Sequence, residues 1–183
     1  MEDPKGYRFR PTDEELINHF LRLKVLGIDS QVIHQIAEVD FFKFPPWQLP
    51  GMSAIKSDDP YWYFFYKLES KYKNSNRVNR TTETGYWKIT GQPRTVYTTV
   101  KSQEEEIEVE IGMKKSLTFY NGRFPSGIKT NWVIHEYSLT ATNFPNNLKN
   151  YVVGCLKRKP DKKAADSSSN EEAAEKSSVE EAQ

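Results

Sequence analysis

The order of apolar and polar positions divides the chain into a short helical start and a longer strand-rich remainder. Pro11-Thr12-Asp13-Glu14-Glu15 precedes a run in which Leu16, Ile17, Phe20, Leu21 and Leu23 recur at roughly helical spacing. Thr12 suits an N-cap, and Glu15 three positions later completes a capping-box pattern. Asp13 and Glu14 favour the positive end of the helix dipole, and Gly27 is the expected stop. "FPPWQLP" (Phe44 to Pro50) reads as a rigid connection with one short helical turn begun by Pro46.

From Tyr61 onward the texture becomes aromatic and β-branched. "YWYFFYKL", "GYWKIT", "RTVYTTV", "IEVEI", "KKSLTFYN", "TNWVIHEYSL" and "NYVVGCL" each read as strands. Gly91 and Asn146-Asn147 punctuate them, and Asn121-Gly122 signals a tight hairpin. Short strands with short turns imply an antiparallel sheet, with the N-terminal helix packed against it. There is no internal repeat. After Lys157 the chain turns to "KRKPDKK" and then to Ala, Ser and Glu, a composition that predicts a disordered acidic tail. The expected organisation is a domain over 1–160 and a tail over 161–183.

Length allows one such domain, large enough to bury a core without metal or disulfides. Cys155 is the only cysteine, so an intrachain disulfide and a cysteine-rich zinc site are both excluded. No apolar run reaches the ~20 residues of a bilayer span, and "MEDPKGYRF" lacks a signal-peptide core. The expectation is a soluble intracellular protein without a membrane partner. The formal net charge of +1 conceals segregation. From Lys71 to Val100 the bases are Lys71, Lys73, Arg77, Arg80, Lys88 and Arg94, against the single acid Glu83. From Gly112 to Lys163 many bases face only Glu136 and Asp161, while acids gather near the N-terminus, in "EEEIEVE" and in the tail. Such a pattern makes one face positive, unless the solvated faces cancel in space.

"RVNRTTETGYWKITG" (Arg77 to Gly91) concentrates the chemistry. Gly85 and Gly91 flank a strand on which Trp87 and Lys88 point to opposite faces, so Trp87 can anchor while Lys88 points out. Arg77 and Arg80 lie upstream, suited to phosphate. Lys114, Lys115, Arg123 and Lys129 form a second set whose mutual repulsion an anion would relieve. Two readings stand at this point: a strand that enters a DNA groove, or an edge strand with a protective lysine and a core tryptophan. His135-Glu136 invites a catalytic reading, but His19 and His34 lie in the helical half and no metal-ligand spacing exists. Neither a phosphate-binding glycine loop nor a nucleophile elbow is present, so no enzyme is expected. Lys157, Arg158, Lys159, Lys162 and Lys163 resemble a nuclear-import patch, with a solubilising basic flank as the plainer alternative.

"GYRFRPTDEEL", "VDFFKFPPWQLP", "YWYFFYKLESKY" with "RVNRTTETGYWKITG", "IGMKKSLTFYNGRFPSGIKTNWVIHEYSL" and "YVVGCLKRK" together resemble the ordered blocks of the plant NAC transcription factors. The resemblance covers Gly6 to about Lys159. It implies a mainly β fold with flanking helices (α+β), a twisted antiparallel sheet packed between an N-terminal helix and a shorter one. It implies nuclear, dimeric binding of double-stranded DNA with a CGT or CACG core, as homodimer or heterodimer, and no cofactor. The strand carrying Tyr86, Trp87, Lys88, Ile89, Thr90 and Gly91 would enter the major groove. Arg77, Arg80, Lys114, Lys115, Arg123 and Lys129 would contact the backbone. Arg8 and Glu15 would bridge two subunits, with Tyr7 and Phe9 as apolar interface residues. Three departures stand out: the acidic Glu104–Glu110, a second block without the usual cysteine and acid, and an altered ending in "YVVGCLKRK". A dimerisation module that binds DNA poorly and modulates its relatives is the alternative that the acidic segment suggests.

Overall fold

The structure, a computed structural model, describes residues 8–56, 58–71, 77–102, 105–140 and 150–160. Helix α1 covers residues 13–25 as an α turn (Asp13–Glu15), a π-type segment (Leu16–Leu21) and a closing α turn (Arg22–Val25). Its start is the anticipated capping box: the Glu15 N–H donates to Thr12 Oγ1 at 3.2 Å, and the Thr12 N–H donates to Glu15 Oε2 at 2.7 Å. Its end is a Schellman closure. The Ile28 N–H reaches the Leu23 carbonyl at 3.1 Å and the Gly27 N–H reaches that of Lys24 at 3.2 Å. Gly27 carries φ +68°, where a side chain would be strained.

Among the described residues, seven strands form one curled sheet: β1 (Ala37–Glu38), β2 (Tyr61–Lys67), β3 (Gly85–Ile89), β4 (Arg94–Lys101), β5 (Glu106–Asn121), β6 (Ile128–Leu139) and β7 (Tyr151–Arg158). The order is β1-β2-β7-β6-β5-β3, with β4 also paired to β5. All pairings are antiparallel except that of β1 with β2, which makes the sheet mixed. "IEVEI" and "KKSLTFYN", which read as separate strands, are one continuous β5.

Both faces of the sheet are buried. On one, Leu16, Ile17, Phe20 and Leu21 of α1 pack on Phe65, Val96, Tyr137 and Val153. On the other, Phe41 and Leu49 cover Phe64, Tyr66, Trp87, Leu117, Phe119 and Leu156. Full burial of each such side chain contributes ~1.5–3 kcal/mol. The mainly β fold with an N-terminal helix is as expected. The second flank differs: among the described residues it consists of 3₁₀ turns at Phe41–Lys43 and Leu49–Met52 rather than a helix. "FPPWQLP" is too rich in proline to continue a turn into a helix.

β3 and β4 follow one another along the same outer edge of β5. β3 pairs with its C-terminal half, Gly85 opposite Asn121 and Ile89 opposite Leu117. β4 pairs with its N-terminal half, Arg94 opposite Lys114 and Lys101 opposite Glu106. Residues 90–93 therefore form an outward turn in the middle of a sheet edge. The β5–β6 hairpin tip lies at one end of that edge and the β4–β5 ribbon at the other.

Candidate nucleic-acid interface

The outward turn begins at β3. Alternation sends Trp87 inward, where it is 3% exposed with its ring 5.5 Å from Phe41 and 5.2 Å from Phe119. Tyr86 is 6% exposed, stacks on Tyr120 at 5.4 Å, and donates its hydroxyl to the Pro125 carbonyl at 3.2 Å. Both rings hold the strand, and both residues also border the groove lined by Arg77, Lys88 and Lys115. Lys88 points outward and exposed, its Nζ 5.8 Å from the Tyr120 ring centroid. Ile89 is exposed beyond it.

Thr90 closes the strand. Its N–H donates to the Ser116 carbonyl at 2.8 Å, and its hydroxyl lies 3.1 Å from that of Thr118. Gly91 then turns the chain away at φ +79°, with open space around it, into exposed Gln92, Pro93 and Arg94. The turn requires positive φ, which a glycine adopts without the ~1–2 kcal/mol strain of other residues.

The cations expected on the DNA backbone divide into paired and solvent-facing side chains. Arg80 is inward: its Nη2 lies 2.7 Å from Glu136 Oε1, with the side chains 15% and 2% exposed. Tyr66, whose hydroxyl titrates well above its ordinary range through burial and the Glu136 carboxylate, donates to Glu136 Oε2 at 3.4 Å. The Arg80 carbonyl accepts from the Trp87 N–H at 2.8 Å, so the segment before β3 is laced to its outer edge. A guanidinium so engaged braces the strand, while Arg80 also borders the groove that Arg77, Lys88 and Lys115 line.

Lys114 is likewise committed. Its Nζ clasps both oxygens of Asp13, at 2.9 and 2.8 Å, and so pins the start of α1 to β5. The Tyr137 hydroxyl donates to the same carboxylate at 2.6 Å. Burial raises the Asp13 pKa, but the bonds from Lys114 and Tyr137 outweigh it and hold it below 3.8. Lys114 therefore faces the helix, not the outer edge.

Of the remaining cations, Lys115 is half-buried and the others are exposed. Arg77, Lys88 and Lys115 line a groove of about 550 Å³ together with Ile89 and Phe124. Arg123 and Lys129 are exposed on the β5–β6 hairpin, Lys129 opposite Tyr120 in register. Exposed Arg94, directly after the turn, belongs with them. Its signal in the sequence is a base immediately following the Gly-x-Pro of the turn.

His135, which invited a catalytic reading, is a packed strand residue whose Nδ1 lies 2.9 Å from Ser116 Oγ. Burial, helped by Lys157 and Lys114, pushes its imidazole down to about 4. Among the described residues no group of His, Cys, Asp and Glu is arranged to hold a metal ion.

Of the residues expected at a subunit interface, Tyr7 lies outside the described residues. Phe9 packs edge-on against Phe20 at 5.4 Å and Tyr63 at 5.1 Å, within its own subunit. Arg8 is exposed, 4.0 Å from Asp59. Glu15 is exposed although engaged in the cap, and the Thr12 backbone and hydroxyl bonds lower its pKa. Lys157 and Arg158 end β7 and Lys159 follows it, whereas Lys162 and Lys163 lie outside the described residues.

The acidic segment forms the far part of the same edge. Glu106, Glu108 and Glu110 sit opposite Lys101, Thr99 and Tyr97. Lys101 answers Glu106 at 3.0 Å, and the Thr140 hydroxyl donates to Glu110 Oε1 at 2.9 Å. The opposite face of this ribbon exposes Val100, Ile107 and Val109.

Comparison with known proteins agrees with the resemblance. The family model described as "No apical meristem (NAM) protein" matches residues 4–139. NAC domain-containing protein 45 of Arabidopsis thaliana is 48% identical over 139 residues, 76% of this chain and 27% of that protein. NAC domain-containing protein 100 of the same plant is 47% identical over 159 residues, 85% of this chain and 44% of that protein. NAC transcription factor ONAC010 of Oryza sativa subsp. indica is 44% identical over 142 residues, 78% of this chain and 32% of that protein. The chain thus spans less than half the length of these curated relatives. With a matching family model over most of its length and relatives of this similarity, the chain belongs to the NAM family of NAC-domain proteins.

Proposed function

We propose that the chain is the DNA-binding and dimerisation unit of a nuclear transcription factor, and that it acts by binding rather than catalysis. The observation that carries this reading is the edge turn between β3 and β4. Trp87 locks it to the core, while Lys88, Ile89, Thr90 and Gly91 present an outward edge flanked by Arg77, Lys115 and Arg94. A β-edge of this kind fits the major groove, which is ~12 Å wide. Exposed cations on either side suit phosphates, whose neutralisation supplies much of the affinity. Partner DNA carries a CGT or CACG core in this proposal, and two copies or two family members bind together through Arg8 and Glu15.

Fluorescence anisotropy with a CACG-core duplex and a scrambled duplex, at two salt concentrations, tests it. Tighter binding to the first, weakening with salt, is expected. Lys88→Ala is expected to weaken core-duplex binding roughly tenfold, within the ~1–3 kcal/mol of a good contact. Equal weak binding to both duplexes would instead favour the second reading, a dimerisation module. The acidic ribbon on the same edge is the feature that supports that alternative. Mixing with a DNA-binding relative then distinguishes the two, since a module of that kind lowers the relative's DNA binding.

A further inference from the structure

The β5–β6 hairpin tip carries an exposed apolar pair, Phe124 at the border of the groove beside Lys88 and Ile128 outside it. Phe124 is 67% exposed and Ile128 is 76% exposed, the two most exposed large apolar side chains among the described residues. They are interleaved with exposed Arg123 and Lys129. The tip is not a loose loop. Phe124 sits edge-on against Tyr86 at 5.3 Å, and the Pro125 carbonyl accepts from the Tyr86 hydroxyl at 3.2 Å. Tyr86 stacks on Tyr120, so the tip is fastened to the strand that leads to the Gly91 turn.

Spacing identifies an occupant. At ~3.3 Å per strand residue, the Gly91 turn and the Gly85 end of β3 stand about 20 Å apart. In B-form DNA half a helical turn, ~17 Å, separates a major-groove centre from the next minor groove on the same side. A turn seated in the major groove with its edge along the duplex places the tip over the flanking minor groove. Arginine is favoured in narrow A·T minor grooves, and Phe or Ile side chains are the wedges that proteins insert between base steps there. We propose that Arg123, Phe124 and Ile128 form a second DNA contact, in the minor groove flanking the core, that favours A·T-rich flanks. The inference rests on the DNA-binding reading above and adds a specificity element to it.

Inosine substitution separates the two grooves. Replacing flanking guanine by inosine removes the minor-groove amino group and leaves the major-groove edge unchanged. Anisotropy would be measured on core duplexes with G·C, I·C and A·T flanks. The unaltered protein is expected to bind the I·C and A·T flanks at least about fivefold tighter than G·C. Phe124→Ala and Ile128→Ala are expected to abolish that preference and keep discrimination of core from scrambled duplex. Both side chains are exposed, and a thermal melt would verify that each variant is folded. Core-specific binding indifferent to the flanks would overturn the minor-groove contact and leave the major-groove reading intact. A flank preference that survives both substitutions would also overturn it. Failure to distinguish core from scrambled duplex would overturn the DNA-reading edge itself, and this contact with it.

Discussion

At the scale of single residues, the cations divide into those braced by acids and those left facing solvent. Arg80 and Glu136 illustrate the difference. A buried ion pair is costly to break from one side, because the surviving charge remains desolvated, at about 3–5 kcal/mol. Arg80→Ala is expected to lower stability by about 3 kcal/mol in urea unfolding, while the salt slope of DNA binding stays as it was. A slope reduced by about one unit would return Arg80 to a phosphate. Replacing both partners, Arg80→Met with Glu136→Leu, is expected to cost less than either single change predicts. The sequence showed that Trp87 and Lys88 face opposite ways, because strand alternation is local. It did not show that Arg80 and Lys114 are committed, because their partners Glu136 and Asp13 lie 56 and 101 positions away. A basic residue looks the same in sequence whether an acid or a phosphate answers it.

At the scale of elements, α1 is joined to the sheet through titratable groups. Asp13 at its first turn meets Lys114 of β5 and Tyr137 of β6. His135 of β6 lies within the field of Asp13, Lys114, Lys157 and Lys159. The imidazole is held neutral, down to about 4 from an ordinary 6.5, so the native state binds fewer protons than the unfolded state between those values. Its contribution is complete above 6.5 and is lost as pH falls toward 4. Asp13, depressed below 3.8, adds a further loss as pH falls through its folded value. Urea midpoints are expected to be flat from pH 8 to 7 and to drop between pH 6.5 and 4. His135→Gln is expected to flatten the upper part of that drop, and an unchanged profile would remove His135 as its source. The helix itself was legible, with its cap and its glycine stop, since both signals occupy adjacent positions. The parallel pairing of β1 was not, because two residues carry no periodicity.

At the scale of the whole molecule, one edge of the sheet carries opposite chemistry at its two ends. The hairpin tip brings Arg123 and Lys129, the middle brings Lys88 and Arg94, and the ribbon brings Glu106, Glu108 and Glu110. A duplex lying along this edge is attracted at one end and repelled at the other. On the proposed DNA path, the acidic ribbon would limit how far a duplex follows the protein past the turn. The three carboxylates are exposed, so their effect on phosphate is screened over ~10 Å at 0.1 M salt. Replacing all three by glutamine is expected to tighten binding several-fold at low ionic strength, with the gain shrinking as salt rises. The gain should also depend on duplex length. A duplex that ends at the core has no phosphates near the ribbon and should respond little, whereas one extended past it should respond fully. Equal gains on both lengths would mean a general change in net charge instead of a local repulsion. No gain on either would place the ribbon away from the DNA path, and its exposed Val100, Ile107 and Val109 face would then need another explanation.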